Sequence, residues 1–329
     1  MNSPICTVIL LTYNHVKWFK KCIESVLNQK TNYNYIIHVF DDASTDGTSD
    51  LVREYANKYP DKVIPFIAQK NQGAQTNVWN AWNSVKTKYC ILTETDDYWC
   101  DENKLQIQID AMEEHPECSF CSTNNYYEVI KDEYLTFLDK TIQIKPDIYK
   151  DKKIISYQDI KNIKAGFLTH LSSRLIRASA MELGVIQHKE AFLFDASQYF
   201  YLLNKGPMYW IDKPTSVYVK TGEGVWSSVT ASNRMNQFWR AMLELNLQTN
   251  GAFFEKIAQQ IVLVTNYWLN LELKQNQQTQ NNPQSDQRNP IKTIKKNLKK
   301  LKHYIFPPIV LDLFNLPRNI IRKIKGKKK

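Results

Sequence analysis

The chain of 329 residues is 43% hydrophobic and 12% aromatic, which allows a large core, and its length suits one large domain with appendages. Its net charge of +10 does not describe a basic body: thirteen of the 43 Lys and Arg lie in residues 291–329 against one acid, Asp312, and the other 290 residues hold 30 basic and 32 acidic groups. The longest apolar stretches, near 261–269 and 304–316, fall well short of the ~20 residues a membrane span needs, which excludes a transmembrane chain.

Taken in chain order, residues 5–11 form a continuous apolar run that reads as a buried strand ending in Thr12-Tyr13-Asn14. Phe19, Cys22, Ile23, Val26 and Leu27 then fall on one helical face. A second apolar run, 35–40, ends in Asp41-Asp42-Ala43-Ser44-Thr45-Asp46-Gly47-Thr48 and is followed by helical spacing at Leu51, Val52, Tyr55 and Ala56. Val78, Ala81, Trp82 and Val85 repeat that spacing before a third strand, 89–92, which runs into Thr93-Glu94-Thr95-Asp96-Asp97-Tyr98-Trp99. Strand, polar end, helix, strand is the pattern of an α/β doubly wound sheet. It predicts that all three polar clusters lie along one sheet edge, where such folds bind ligands. Carboxylates there need a cation or a donor, and aspartates suit hard cations such as Mg²⁺ or Mn²⁺. A solvated turn explains Asp96 and Asp97 equally well on their own.

The six cysteines fall mostly inside predicted strands or helices, and Cys118-x-x-Cys121 lacks the second pair or nearby His that zinc requires. Reduced thiols, and a chain that opens straight into its first strand, predict a cytoplasmic location. In the second half, residues 191–200 hold one acid, Asp195, in an apolar context, with helical spacing following at Tyr199, Leu202 and Leu203. Residues 238–273 are helically patterned, 275–290 are rich in Gln, Asn, Ser and Pro and read as a flexible linker, and 291–329 carry the basic tail. In the tail Ile291, Ile294, Leu298, Leu301 and Ile305 make one apolar stripe flanked by lysines, which favours an interfacial membrane helix, with nucleic-acid binding by charge and a coiled-coil or partner helix as the alternatives. The predicted organisation is therefore 1–230, 231–274, 275–290 and 291–329.

Four motifs in this order, the strand ending Leu11-Thr12-Tyr13-Asn14, Asp41-Asp42 through Thr48, Asn71-Gln72-Gly73, and Glu94-Thr95-Asp96-Asp97-Tyr98-Trp99, resemble glycosyltransferase family 2 over about residues 4–230. The resemblance implies a GT-A fold, a Rossmann-like mixed sheet flanked by helices, and inverting transfer from a nucleoside-diphosphate sugar, a UDP-hexose by preference, with a divalent metal. It assigns Leu11, Thr12, Tyr13, Asp42, Asn71 and Asp96 to the nucleotide sugar, with Tyr13 and Asp42 on the base and Asp96 on the ribose. Asp97 is the implied metal ligand and Asp195 the implied general base. Asp41 supports its loop, while capping of the following helix remains open for both Asp41 and Asp42. Asp195 has the alternative of an ordinary helix cap. Glu94 and His170 are further candidates, each with a structural alternative. Where relatives place a metal-binding His, before Val-Trp-Ser, this chain has Thr221, with Glu223 or water as the substitute. A cell-surface glycan or lipid-linked acceptor, reached from the inner membrane face through the tail, completes the expectation.

Two enzyme classes that share strand-end sites are excluded: a nicotinamide enzyme needs a Gly-rich turn after the first strand, and a sugar nucleotidyltransferase a Gly- and Arg-rich loop. A non-catalytic membrane- or nucleic-acid-docking protein on the same fold has no use for Asp97 and Asp195, which are both present.

Overall fold

The computed structural model describes residues 3–129, 141–142, 145–163, 168–181, 195–221 and 231–259. Strand and helix alternate through the first half: β1 (Cys6–Thr12), α1 (Val16–Leu27), β2 (Tyr35–Asp41), α2 (Thr48–Lys58), β3 (Val63–Ile67), α3 (Ala74–Asn83) and β4 (Tyr89–Glu94), then β5 (Tyr98–Trp99) and α4 (Lys104–Glu114). The second half adds β6 (Phe120–Val129), β7 (Thr141–Ile142), α5 (Ile148–Asp151), β8 (Ile154–Ile155), α6 (Tyr157–Ile160), β9 (Arg174–Arg177), α7 (Asp195–Lys205), β10 (Met208–Lys220) and α8 (Ala231–Gln248).

The sheet runs β3-β2-β1-β4-β9-β6-β10-β5, with β7 and β8 paired to β6 and β10. β1 to β4 are mutually parallel where they pair; β9 enters antiparallel to both β4 and β6. All seven residues of β1 are buried, because a central parallel strand is covered on both faces and so reads as an unbroken apolar run. Alternation sends Cys6, Val8, Leu10, Ile37 and Val39 into the core beneath α1 and α2, whose Phe19, Cys22, Ile23, Val26, Val52 and Tyr55 meet them. The opposite face, with Ile9, His38 and Phe40, lies toward α3, from which Asn77 Nδ2 donates to the Phe40 carbonyl at 3.2 Å.

The register fixes the site's location. Thr12 pairs with Asp41, and Leu11 with Glu94, so the three polar strand ends form one row as the sequence predicts. α3 departs from its predicted face. Ala81 and Trp82 are buried, but Val78 lines a cavity and Val85 lies past the helix end, because the first turns of α3 extend over the strand ends instead of over the core. Tyr98 and Trp99 are buried in β5 and pack. Cys118 and Cys121 are buried free thiols, and no described residue forms a disulfide. α8 packs on α7, and its Phe238, Ala241, Met242 and Leu245 are buried. No helix among the described residues is long and apolar enough to cross a membrane. Glu223, the patterned helix beyond 259, the polar linker and the basic tail lie outside the described residues.

Candidate active site

The loops that follow β1 and β2 lock into each other. Asn14, in the left-handed region at φ 56°, accepts the Thr45 N–H on its Oδ1 at 2.8 Å, and its own N–H donates to Ser44 Oγ at 2.8 Å. Asp46 Oδ2 accepts the Val16 N–H at 2.9 Å and so caps the start of α1. Ala43 also holds a left-handed backbone, φ 61°, an uncommon state for a residue with a Cβ that the surrounding hydrogen bonds maintain. Asp41 is fully buried and bonds the hydroxyls of Ser44 and Ser49, so it supports the loop.

Between these loops, the end of β4 and the start of α3 lies a cavity of about 480 Å³. Leu11, Thr12, Tyr13, Asp42, Asn71 and Glu94, six of the residues singled out in the sequence, line it, together with Thr221. Asp42 is buried, and its two carboxylate oxygens accept the N–H groups of Gln72 and Gly73 at 2.7 and 2.9 Å. Gly73 takes φ 84°, a turn that a β-carbon would strain, and Asn71 Oδ1 accepts its N–H as well, at 3.0 Å. Tyr13 stands at the mouth, 42% exposed. Thr12 Oγ1 is buried yet has no hydrogen-bond partner among the described residues, an arrangement that costs free energy unless a ligand supplies the partner.

Asp96 and Asp97 are not part of that lining. Asp97 is 1% exposed and points inward: Oδ2 accepts the Ser172 hydroxyl at 2.8 Å and Oδ1 the Val219 N–H at 3.0 Å. Burial, then the neighbouring charges of Asp96 and Glu94, push its carboxyl well above the usual range, against the pull of those two donors. Burial raises Asp96 too, while His15 lowers it. His170 Nε2 lies 3.6 Å from Asp97 Oδ2, so His170 belongs with Asp97 and not with the cavity. Among the described residues no three His, Cys, Asp or Glu are grouped to hold a metal by themselves. The oxygen donors fit a hard divalent ion that brings phosphate ligands with it: the charge of Asp96 disfavours the ionised form of buried Asp97, and a cation would favour it.

Asp195 is the first residue of α7, and its side chain lies outside the described ones. Arg174, fully buried, ties that helix to the rest of the site. Its Nε donates to Thr169 Oγ1 at 2.9 Å, Nη2 to the Thr169 carbonyl, and Nη1 to Gln198 Oε1 at 3.1 Å, one turn into α7. The segment 169–174 therefore holds Asp97 through Ser172 and α7 through Arg174. Sequence reading named His170 in this segment but missed Thr169, Ser172 and Arg174, and also His15, whose Nδ1 meets Thr95 Oγ1 at 2.9 Å, with Trp18 and Asn77 in the cavity lining. The position of His15 directly after Thr12-Tyr13-Asn14 was its only signal.

Residues 7–170 match the family model described as glycosyl transferase family 2. The chain belongs to this family. Among family relatives, the putative teichuronic acid biosynthesis glycosyltransferase TuaG of Bacillus subtilis is 29% identical over 173 residues, 52% of this chain and 63% of its own length. An uncharacterized protein of Mycobacterium tuberculosis is 31% identical over 115 residues, and there the match spans 35% of this chain and 33% of the relative. Among solved structures, Staphylococcus aureus TarS 1–349 in complex with UDP-GlcNAc superposes with a TM-score of 0.56 at 16% identity, covering 73% of this chain and 66% of that one. The mannosyltransferase PcManGT of Pyrobaculum calidifontis, in complex with GDP-Man and Mn²⁺, gives 0.51 at 14% identity, covering 93% and 82%. The mixed sheet flanked by helices is the GT-A fold of these transferases.

Proposed function

We propose that the chain is an inverting glycosyltransferase that moves a hexose from a nucleoside-diphosphate sugar to a hydroxyl of a cell-surface glycan or lipid-linked acceptor. The observation that carries this reading is the convergence of three strand ends on one cavity that pairs an aromatic ring, Tyr13, with an oriented carboxylate, Asp42, and an unpartnered hydroxyl, Thr12. Tyr13 stacks on the base. Asp42, held by two backbone N–H groups, keeps lone pairs for the imide N–H of uracil, which adenine does not offer. Asp96 would take the ribose, and Asp97 is the residue that would hold Mg²⁺ or Mn²⁺. When bound, that metal offsets charge on the departing nucleoside diphosphate. Asp195 accepts the proton of the acceptor hydroxyl as its oxygen bonds to the anomeric carbon and the carbon–phosphate-oxygen bond breaks on the opposite side. A single base and a single displacement invert the anomeric centre.

The Bacillus relative's name supports a glycan acceptor. The basic amphipathic segment 291–329 supports a place at the inner face of an anionic membrane, each basic residue near the surface being worth about 1 kcal/mol. Nucleotide sugars screened with the purified full chain and Mn²⁺ test the reading: hydrolysis of a UDP-sugar that stops on chelation is expected, and a folded protein that hydrolyses none of them overturns it.

A further inference from the structure

A second hollow of about 480 Å³ is bordered by Phe40, Phe66, Gln72, Asn77, Asn80 and Asn83. Asn77 lines both spaces, so the hollow adjoins the site. Phe66 sits on β3, the first strand of the sheet order, 38% exposed and stacked flat on Phe40 with ring centroids 4.3 Å apart at 5°. The three asparagines recur at every third position of α3 and share one side of it. Asn77 and Asn83 donate Nδ2 to the carbonyls of Phe40 and Trp79, at 3.2 and 2.8 Å, while Asn80 is exposed beside them. No charged side chain is among the described residues that line the hollow.

We propose that this shelf binds neutral sugar units of the acceptor glycan and so holds a growing chain beside the donor site. A pyranose ring presents a C–H face that an exposed aromatic ring covers, and its hydroxyls each donate and accept, as an amide side chain does. An anionic polymer would call for Lys or Arg, and the lining has neither. The proposal rests on the glycan-acceptor reading above.

The test is binding of maltohexaose, cellohexaose and chitohexaose to the full chain, read by calorimetry without donor. Because no donor is present, failure here is separable from failure of the donor-hydrolysis screen. At least one oligosaccharide is expected to bind the wild type. Phe66→Ala and Asn80→Ala, both at exposed positions, should each weaken it about fivefold or more, and Phe66→Trp should retain it. Donor hydrolysis should be the same in all three variants. Absence of binding by all three sugars, binding that ignores both alanine substitutions, or self-association that Phe66→Ala abolishes would each overturn the shelf.

Discussion

Asp97 sits in a cradle that matches its charge only in part: two donors reach its oxygens, while Asp96 and Glu94 press on it from the same turn. Because its folded pKa is raised above the unfolded one, its ionisation costs stability, and the cost grows as pH rises from about 4 through the folded pKa. Asp97→Asn removes that charge and keeps a carbonyl oxygen for the Val219 N–H. In the presence of chelator at pH 7 this variant should melt above the wild type, yet transfer little or no sugar. Calorimetric melting and a transfer assay read both halves, and near wild-type transfer at saturating Mn²⁺ would remove Asp97 from the site. Asp195→Asn should leave donor binding intact and lower transfer by about 10²–10⁴-fold, the usual worth of a general base. An equal loss of donor affinity would make Asp195 a helix cap instead. That Leu11, Thr12, Tyr13, Asp42 and Glu94 meet at one edge was legible because each sits at or near the end of an apolar run, whereas Asn71 rested on the family resemblance alone. Ser172, 75 residues from Asp97, was not, since a contact made through space leaves no mark on local spacing.

Among the elements, β1, β2 and β4 were readable within one or two residues because burial on both faces writes an unbroken apolar run. Their true ends lie further on: Thr12, Asp41, Thr93 and Glu94 still pair in the ladder although they are polar. β9 and β10 were not readable. β9 is four residues long, and β10 carries Asp212, Lys213 and Pro214 through an irregular register, so its alternation is broken where a sequence pattern would be sought. The coupling of β9 to α7 through Arg174 gives a test at this scale. Arg174→Lys keeps a cation but loses the fork that spans Thr169 and Gln198. Its kcat should fall about tenfold or more with donor KM changed little, because α7 loses a fixed orientation while the cavity proposed for the donor, built from other elements, does not. A change confined to KM would assign Arg174 to donor binding.

For the whole molecule, Lys104 links stability to pH. Its side chain is fully buried, donates to Thr215 Oγ1 at 3.1 Å, and is lowered by burial to about 7. The unfolded chain binds a proton at this lysine up to about pH 10, so the penalty is complete below about pH 7 and shrinks as pH rises. Between pH 7 and 8.5, before the buried thiols begin to act in the opposite sense, the wild type should gain melting temperature relative to Lys104→Met. Parallel curves would show that Lys104 stays charged in the fold. Truncation after Asn289 should release the protein from anionic liposomes and leave donor hydrolysis unchanged, whereas liposome binding that survives moves the membrane site onto the body. The central claim, a nucleotide seated against Tyr13 at the strand ends, meets its most direct test in calorimetric titration of UDP with Mn²⁺ into the wild type and Tyr13→Ala. Tyr13 is 42% exposed, so its loss should spare the fold. The account predicts one UDP site in the wild type, weakened about tenfold or more in the variant by the lost stacking, with melting temperature unchanged. Equal affinity in the two proteins, or no UDP binding to the folded wild type, would contradict it.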